Sequence, residues 1–257
     1  MRSFERDILL LLLAAAAGSV DAWSYFGLGH AFVANMTGNT VLLGVALSHT
    51  FRLDVAPPAI ALSSYAFGVI LGALFTGALI TRRSSVSPKD SSPLWPRRIS
   101  LVLGLEGALL TAAAVEWSRV YTAPSPLILH LLLSISAVAL GLQSAAMLQL
   151  RIPGIITTYI SGTWTSLVTG LTRLFTGRTP SSSGSISWEE RLLMQGAVLA
   201  VYLGAAVSSG YLFGHAKGLV GVIPAPCVVA VALYGAFRRD SLELSPKPST
   251  GADRAHR

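Results

Sequence analysis

Apolar positions fall into six long stretches, about 8–27, 56–81, 99–118, 126–149, 192–214 and 218–237. Each is close to the roughly 20 helical residues that cross a bilayer, so the pattern predicts an all-α polytopic membrane helix bundle with about six spanning helices. Two shorter stretches, 31–48 and 155–172, are rich in Thr, Ser, Gly and Asn. They predict short broken or re-entrant helices, tolerated at membrane depth only where protein or a water-lined cavity satisfies the backbone.

Basic residues discriminate between the topologies. If all eight stretches cross from an inner N-terminus, twelve Lys and Arg fall inside and seven outside, with Arg82, Arg83, Lys89, Arg97 and Arg98 among the latter. If only the six long ones cross, sixteen fall inside and three outside: Arg52, Arg119 and Lys217. Cytoplasmic loops carry the basic excess, so six spans with both termini cytoplasmic is the expected arrangement. Arg2 and Arg6 before the run Ile8 to Ala17 imitate a secretory signal, but the apolar pattern continues past Gly18 and reads as an uncleaved first span. A single transmembrane domain then covers 1–237, with a basic cytoplasmic connection at 82–98 and a polar tail at 238–257, both of disordered composition. Trp95, Trp117 and Trp188 stand beside span ends, where an interfacial belt places tryptophan.

Composition narrows the function classes. With 52% hydrophobic and 12% charged residues and a mean hydropathy of +0.61, the chain is far from a soluble domain, which averages about 25% charged. The formal charge of +7 belongs to loops rather than to a nucleic-acid face, so no nucleic-acid partner is expected. Cys227 is the only cysteine, which excludes an intrachain disulfide and a Cys-based metal site. His30 and His130 have no partner at ligand spacing and read as packing residues, so no metal and no cofactor are implied. Phosphate-cradling loops, nucleophile elbows and triad spacings are missing from the sequence. An enzyme is not expected; an intramembrane one would need Asp21 to converge with Glu106 or His130.

The chain also compares with itself. Gly18-Ser-Val-Asp21-Ala22 leading to Met36-Thr37-Gly38-Asn39-Thr40 pairs with Gly141-Leu-Gln143-Ser144-Ala145 leading to Ile160-Ser161-Gly162-Thr163. Each copy is a span, a polar dip and two further spans, about 8–118 and 126–237. Three crossings per copy make the second an inverted repeat of the first.

At these residues the chain resembles the YoaK-like family of membrane proteins, the domain of unknown function 1275. Val20-Asp21-Ala22 and Phe32-Val33-Ala34-Asn35-Met36-Thr37-Gly38-Asn39-Thr40 are similar to that family's most distinctive stretch. Gly141-Leu-Gln143-Ser144-Ala145 with Thr157-Thr158-Tyr159-Ile160-Ser161-Gly162-Thr163 is similar to its second half. Ser161 stands where Thr is more frequent and Ser144 where Asn is frequent. The resemblance implies a multi-pass protein of about six helices and supplies no substrate.

Polar groups inside spans are costly and mark candidate sites. Asp21 and Glu106 are the two deep carboxyls and candidates for proton coupling; alternatively Asp21 caps a helix break after Gly18 and Glu106 bonds a neighbouring helix. The Thr37-Gly38-Asn39-Thr40 run has helix-start chemistry, and Ser161-Gly162-Thr163 mirrors it. Two half-helix N-termini would then face a shared central site for a small polar or anionic solute. Asp21, Asn35, Thr37, Gly38, Asn39, Gln143, Ser161, Gly162 and Thr163 are its candidate residues. Stripes of small residues, Ser64, Gly68, Gly72, Thr76 and Gly196, Ala200, Gly204, Ser208, read as helix-packing seams. The sequence therefore reads first as a carrier or channel-like protein and second as a non-transporting scaffold or assembly factor. Its expected partners are the lipid bilayer, the solute and a further copy in a homo-oligomer.

Overall fold

A computed structural model describes residues 3–49, 53–77, 97–150, 160–176 and 188–243. These form eight α-helices: α1 (Ser3–Gly27), α2 (Met36–Leu47), α3 (Ala56–Thr76), α4 (Arg97–Val120), α5 (Pro126–Leu150), α6 (Ile160–Phe175), α7 (Trp188–His215) and α8 (Pro224–Glu243). A 3-10 turn, Lys217–Val222, precedes α8. Six of the helices are long and apolar enough to cross a membrane. With 12 and 16 residues, α2 and α6 reach only about 18 and 24 Å at 1.5 Å per residue, short of the roughly 30 Å hydrocarbon core. Among the described residues, the two polar stretches thus form helices shorter than the six long ones.

Helix ends follow local chemistry. Pro57 and Pro58 open α3, where a missing N–H costs nothing, and Asp54 accepts the Ala56 amide there at 2.9 Å. Gly77 ends α3 in the left-handed region at φ 76, a conformation that favours glycine. The expected connection at 82–98 lies outside the described residues except for Arg97 and Arg98, which open α4. α8 continues past residue 237 to Glu243; the remainder of the polar tail, like Trp95, lies outside the described residues.

α1 and α5 are central, buried along most of their length, while α3 and α7 lie outside them. The most extensive contacts join α1 to α7 and α5 to α3; α4 packs on α8 and α5, α1 also on α8, α2 on α3 and α6 on α7. Glycine permits a close approach in each of the first two pairs. A methyl on Gly18 of α1 would run into the Tyr202 carbonyl of α7, and one on Gly141 of α5 into the Tyr65 carbonyl of α3. The Ser209 hydroxyl also donates to the Ser19 carbonyl at 2.9 Å. On their outer sides α3 and α7 expose Phe67, Ile70 and Leu74, and Leu203, Val207 and Tyr211, apolar surface that lipid covers at no cost.

Three expectations are corrected. α1 runs unbroken through Gly18, so there is no helix break there to cap. Trp117 is no interfacial anchor. It is buried against Trp23 and Phe213 and donates its Nε1–H to the Lys217 carbonyl at 2.7 Å, which gives its polar edge an internal partner. Of the two small-residue stripes, Gly68 and Gly72 do pack on α5, but Ala200, Gly204 and Ser208 are exposed and Gly204 has no neighbour within 4 Å of an added Cβ. The buried face of α7 is instead Gln195, Val198, Ala205 and Ser209. Small side chains suit a tight helix contact and a lipid-facing surface equally, so spacing alone did not distinguish the faces.

Candidate functional site

The loop after α1 turns back into the bundle through residues whose geometry is special. Gly29 has φ 106 and His30 φ 60, left-handed conformations that reverse the chain. Asp21 then holds the returning strand of backbone: its Oδ1 accepts the Val33 amide at 2.8 Å and the Ala34 amide at 2.7 Å, and its Oδ2 accepts the Tyr202 hydroxyl. This buried carboxylate ties α1, the loop and α7 into one unit.

Asn39, fully buried, completes the hold from α2. Its side-chain amide accepts the Phe32 N–H at 2.8 Å and donates to the Phe32 carbonyl at 2.6 Å. The helix cap is Asn35, whose Oδ1 accepts the Gly38 amide at 3.0 Å. A Cβ at Gly38 would crowd both Asn35 and Phe32, which explains the glycine. The start chemistry expected of Thr37 to Thr40 is therefore displaced to Asn35, and those residues form the first turns of α2 itself. For α6 the helix begins at Ile160, with Thr163 buried; Thr157, Thr158 and Tyr159 lie outside the described residues.

A cavity of about 450 Å³ opens where α2 and α6 begin, within the range of small-molecule sites. Asn35, Met36 and Thr37 line it from α2, and Ile160 and Ser161 from α6. Tyr65 from the middle of α3, Tyr202 from the middle of α7, and Ser144 and Leu148 from α5 complete it, with Ala34. Among the described residues its lining carries hydroxyls and an amide and no charged side chain. The Tyr65 hydroxyl donates to Ser144 Oγ at 2.7 Å, which in turn donates to the Leu140 carbonyl at 2.9 Å. Ser144 thus keeps a polar role despite replacing the more frequent Asn.

Of the sequence candidates, Asn35, Thr37 and Ser161 line this cavity. Asp21 stands behind it, bound to Tyr202 and Ala34; Gly38 and Asn39 shape the loop, and Gly162 and Thr163 lie in the first turn of α6. Gln143 is buried elsewhere, its Nε2 donating to the Leu13 carbonyl at 3.3 Å. Tyr65 and Tyr202 were missed, since a lone tyrosine in an apolar run has no spacing signal.

Glu106 is remote in kind. It is fully buried in α4, in line with Leu103, Leu110 and Ala113, and neither oxygen has a hydrogen-bond partner among the described residues. Asp21 bonds neither Glu106 nor His130. An unpartnered polar group in a packed core costs about 1–3 kcal/mol. Glu106→Leu is therefore expected to raise the melting temperature of the detergent-solubilised protein, and a fall instead would reveal a partner the fold depends on.

Among proteins of known sequence, the chain is 35% identical over 172 residues, 66% of its length and 69% of the relative's, to the UPF0700 transmembrane protein YoaK of Bacillus subtilis (strain 168). No solved structure matches it. The family model described as protein of unknown function, DUF1275, matches residues 9–235. With the loop, the short helices and nearly all of the six long ones inside that match, the chain is a multi-pass membrane protein belonging to the DUF1275 family.

Proposed function

We propose that the protein carries a small polar or anionic solute across the bilayer, binding it in the cavity between the starts of α2 and α6. The observation that carries this reading is that one cavity is lined by both polar motifs, Asn35 and Thr37 from one and Ser161 from the other. A scaffold has no need of a hollow there. Both short helices begin at the cavity, so their partial positive ends favour a carbonyl, carboxylate or similar oxygen-rich group, and the hydroxyls and amide of the described lining select by hydrogen bonds.

An inverted repeat underlies this reading. Gly18 and Asp21 of α1 correspond in sequence to Gly141 and Ser144 of α5. The first pair meets Tyr202 of α7 and the second meets Tyr65 of α3, glycine against tyrosine carbonyl and side chain against tyrosine hydroxyl in both cases. Exchange of α1 with α5 and of α7 with α3 under one pseudo-two-fold axis accounts for both contacts. The axis would pass beside the cavity, as alternating-access carriers arrange it. Proton coupling, where present, falls to the two deep carboxyls. Asp21 has both oxygens engaged, whereas Glu106 has lone pairs to spare.

Reconstituted vesicles test the proposal. Uptake of at least one small oxygen-rich solute above the level of empty vesicles is expected, and Ser161→Phe, which fills the cavity, is expected to reduce it by about tenfold or more while the protein still folds, since about 1.4 kcal/mol of lost binding suffices. Uptake indistinguishable from empty vesicles across a broad solute panel would turn the reading to a scaffold.

A further inference from the structure

A second cleft, of about 320 Å³, lies between α6 and the first two turns of α7. Arg173 near the end of α6 and Arg191 near the start of α7 both line it, with Thr165, Ser166, Thr169 and Trp188. Gly170 makes the cleft possible, because a Cβ there would meet the Leu192 side chain at 2.6 Å. Among the described residues, neither arginine has an ion-pair partner and no carboxylate lines the cleft. Two guanidinium groups on facing helices repel unless an anion sits between them, and guanidinium matches phosphate oxygens with paired N–H donors. The hydroxyls of Ser166 and Thr169 add neutral donors. The Thr165 hydroxyl already donates to the Ser161 carbonyl.

The surface around the cleft favours an amphiphile. Trp164, Val168 and Phe175 on α6 and Leu193 on α7 are exposed, Phe175 at 85% and Leu193 at 75%, so apolar surface flanks the two charges. The α2–α3 pair, related to α6–α7 in the repeat, has no charged residue in either helix, so the feature belongs to one half alone. The charge count assigns both arginines to the cytoplasmic side, where anionic lipid headgroups concentrate and basic pockets between helices bind them. We propose that this cleft is a phosphate-binding site, held by Arg173 and Arg191, that takes the headgroup of an anionic phospholipid while its acyl chains lie along α6 and α7.

The test uses the full chain purified in a mild neutral detergent, with thermal stabilisation as the readout. Titrants are short-chain phosphatidylglycerol, short-chain phosphatidylcholine and inorganic phosphate. Phosphatidylglycerol is expected to stabilise the wild type, with apparent affinity falling about tenfold for each of Arg173→Gln and Arg191→Gln, the loss of one charge-assisted bond apiece. Neither side chain has an ion-pair partner among the described residues, so the variants are expected to retain the fold; Arg173→Lys and Arg191→Lys should recover part of the affinity. Stabilisation by inorganic phosphate to the same extent, equally sensitive to the two arginines, would keep the phosphate site and assign it to a free anion. Equal stabilisation by phosphatidylcholine, or glutamine variants that bind phosphatidylglycerol as the wild type does, would overturn the proposal.

Discussion

Replacing Gly141 with leucine will prevent stable assembly of the bundle, whereas replacing Gly204 with alanine will leave the protein as stable as before or slightly more so. A Cβ at Gly141 meets three backbone groups of α3: the Tyr65 carbonyl, the Val69 nitrogen at 2.8 Å and the Gly68 Cα at 2.9 Å. Backbone cannot move aside as a rotamer does, so α3 and α5 must separate along their whole contact. Overpacking in a well-packed core costs about 1–3 kcal/mol where side chains can adjust, and here the cost exceeds that range. At Gly204 no atom lies within 4 Å of an added Cβ. The substitution there removes a flexible residue from a helix interior, an effect of about 0.5–1 kcal/mol in favour of alanine. The recovery of monodisperse protein and its melting temperature in detergent give the comparison. Equal behaviour of the two variants would contradict the α3–α5 contact.

Asp21→Ala is expected to cost about 3 kcal/mol or more, and Asp21→Asn much less. Alanine leaves the Val33 and Ala34 amides and the Tyr202 hydroxyl without their acceptor, and an orphaned buried donor costs about 1–3 kcal/mol. Asparagine keeps one acceptor oxygen for the two amides, and its NH2 group can donate to the tyrosine oxygen. Thermal unfolding of the two variants measures this difference; similar losses in both would mean that charge, not acceptor geometry, holds the loop. Uptake adds the functional readout. A folded Asp21→Asn variant that transports as the wild type does across pH 5 to 8 makes Asp21 a positioning residue for Ala34, Asn35 and Tyr202, whereas selective loss of pH-dependent uptake would make it a coupling group.

The number and type of long helices, and the presence of two shorter polar ones between them, were legible in the sequence. Those features depend on the length and composition of contiguous segments, and a run of some twenty apolar residues crosses a bilayer whatever it packs against. The polar motifs were legible too, because Asn, Thr, Ser and Asp in an apolar chain are costly enough to stand out. Their individual duties were not. Asn35 faces the cavity while Asn39, four residues on, is consumed by Phe32, and Gln143, a neighbour of the cavity residue Ser144, reaches Leu13 on another helix instead. The facing of α7 was likewise undecided by spacing, since its glycine stripe and its buried face both repeat at helical intervals. Only the tertiary structure brings Tyr65 and Tyr202 to the starts of α2 and α6, and Arg173 to Arg191. Such meetings join residues of different helices, and their geometry follows from which backbones approach closely enough to touch, a property of helix pairs that no single segment carries.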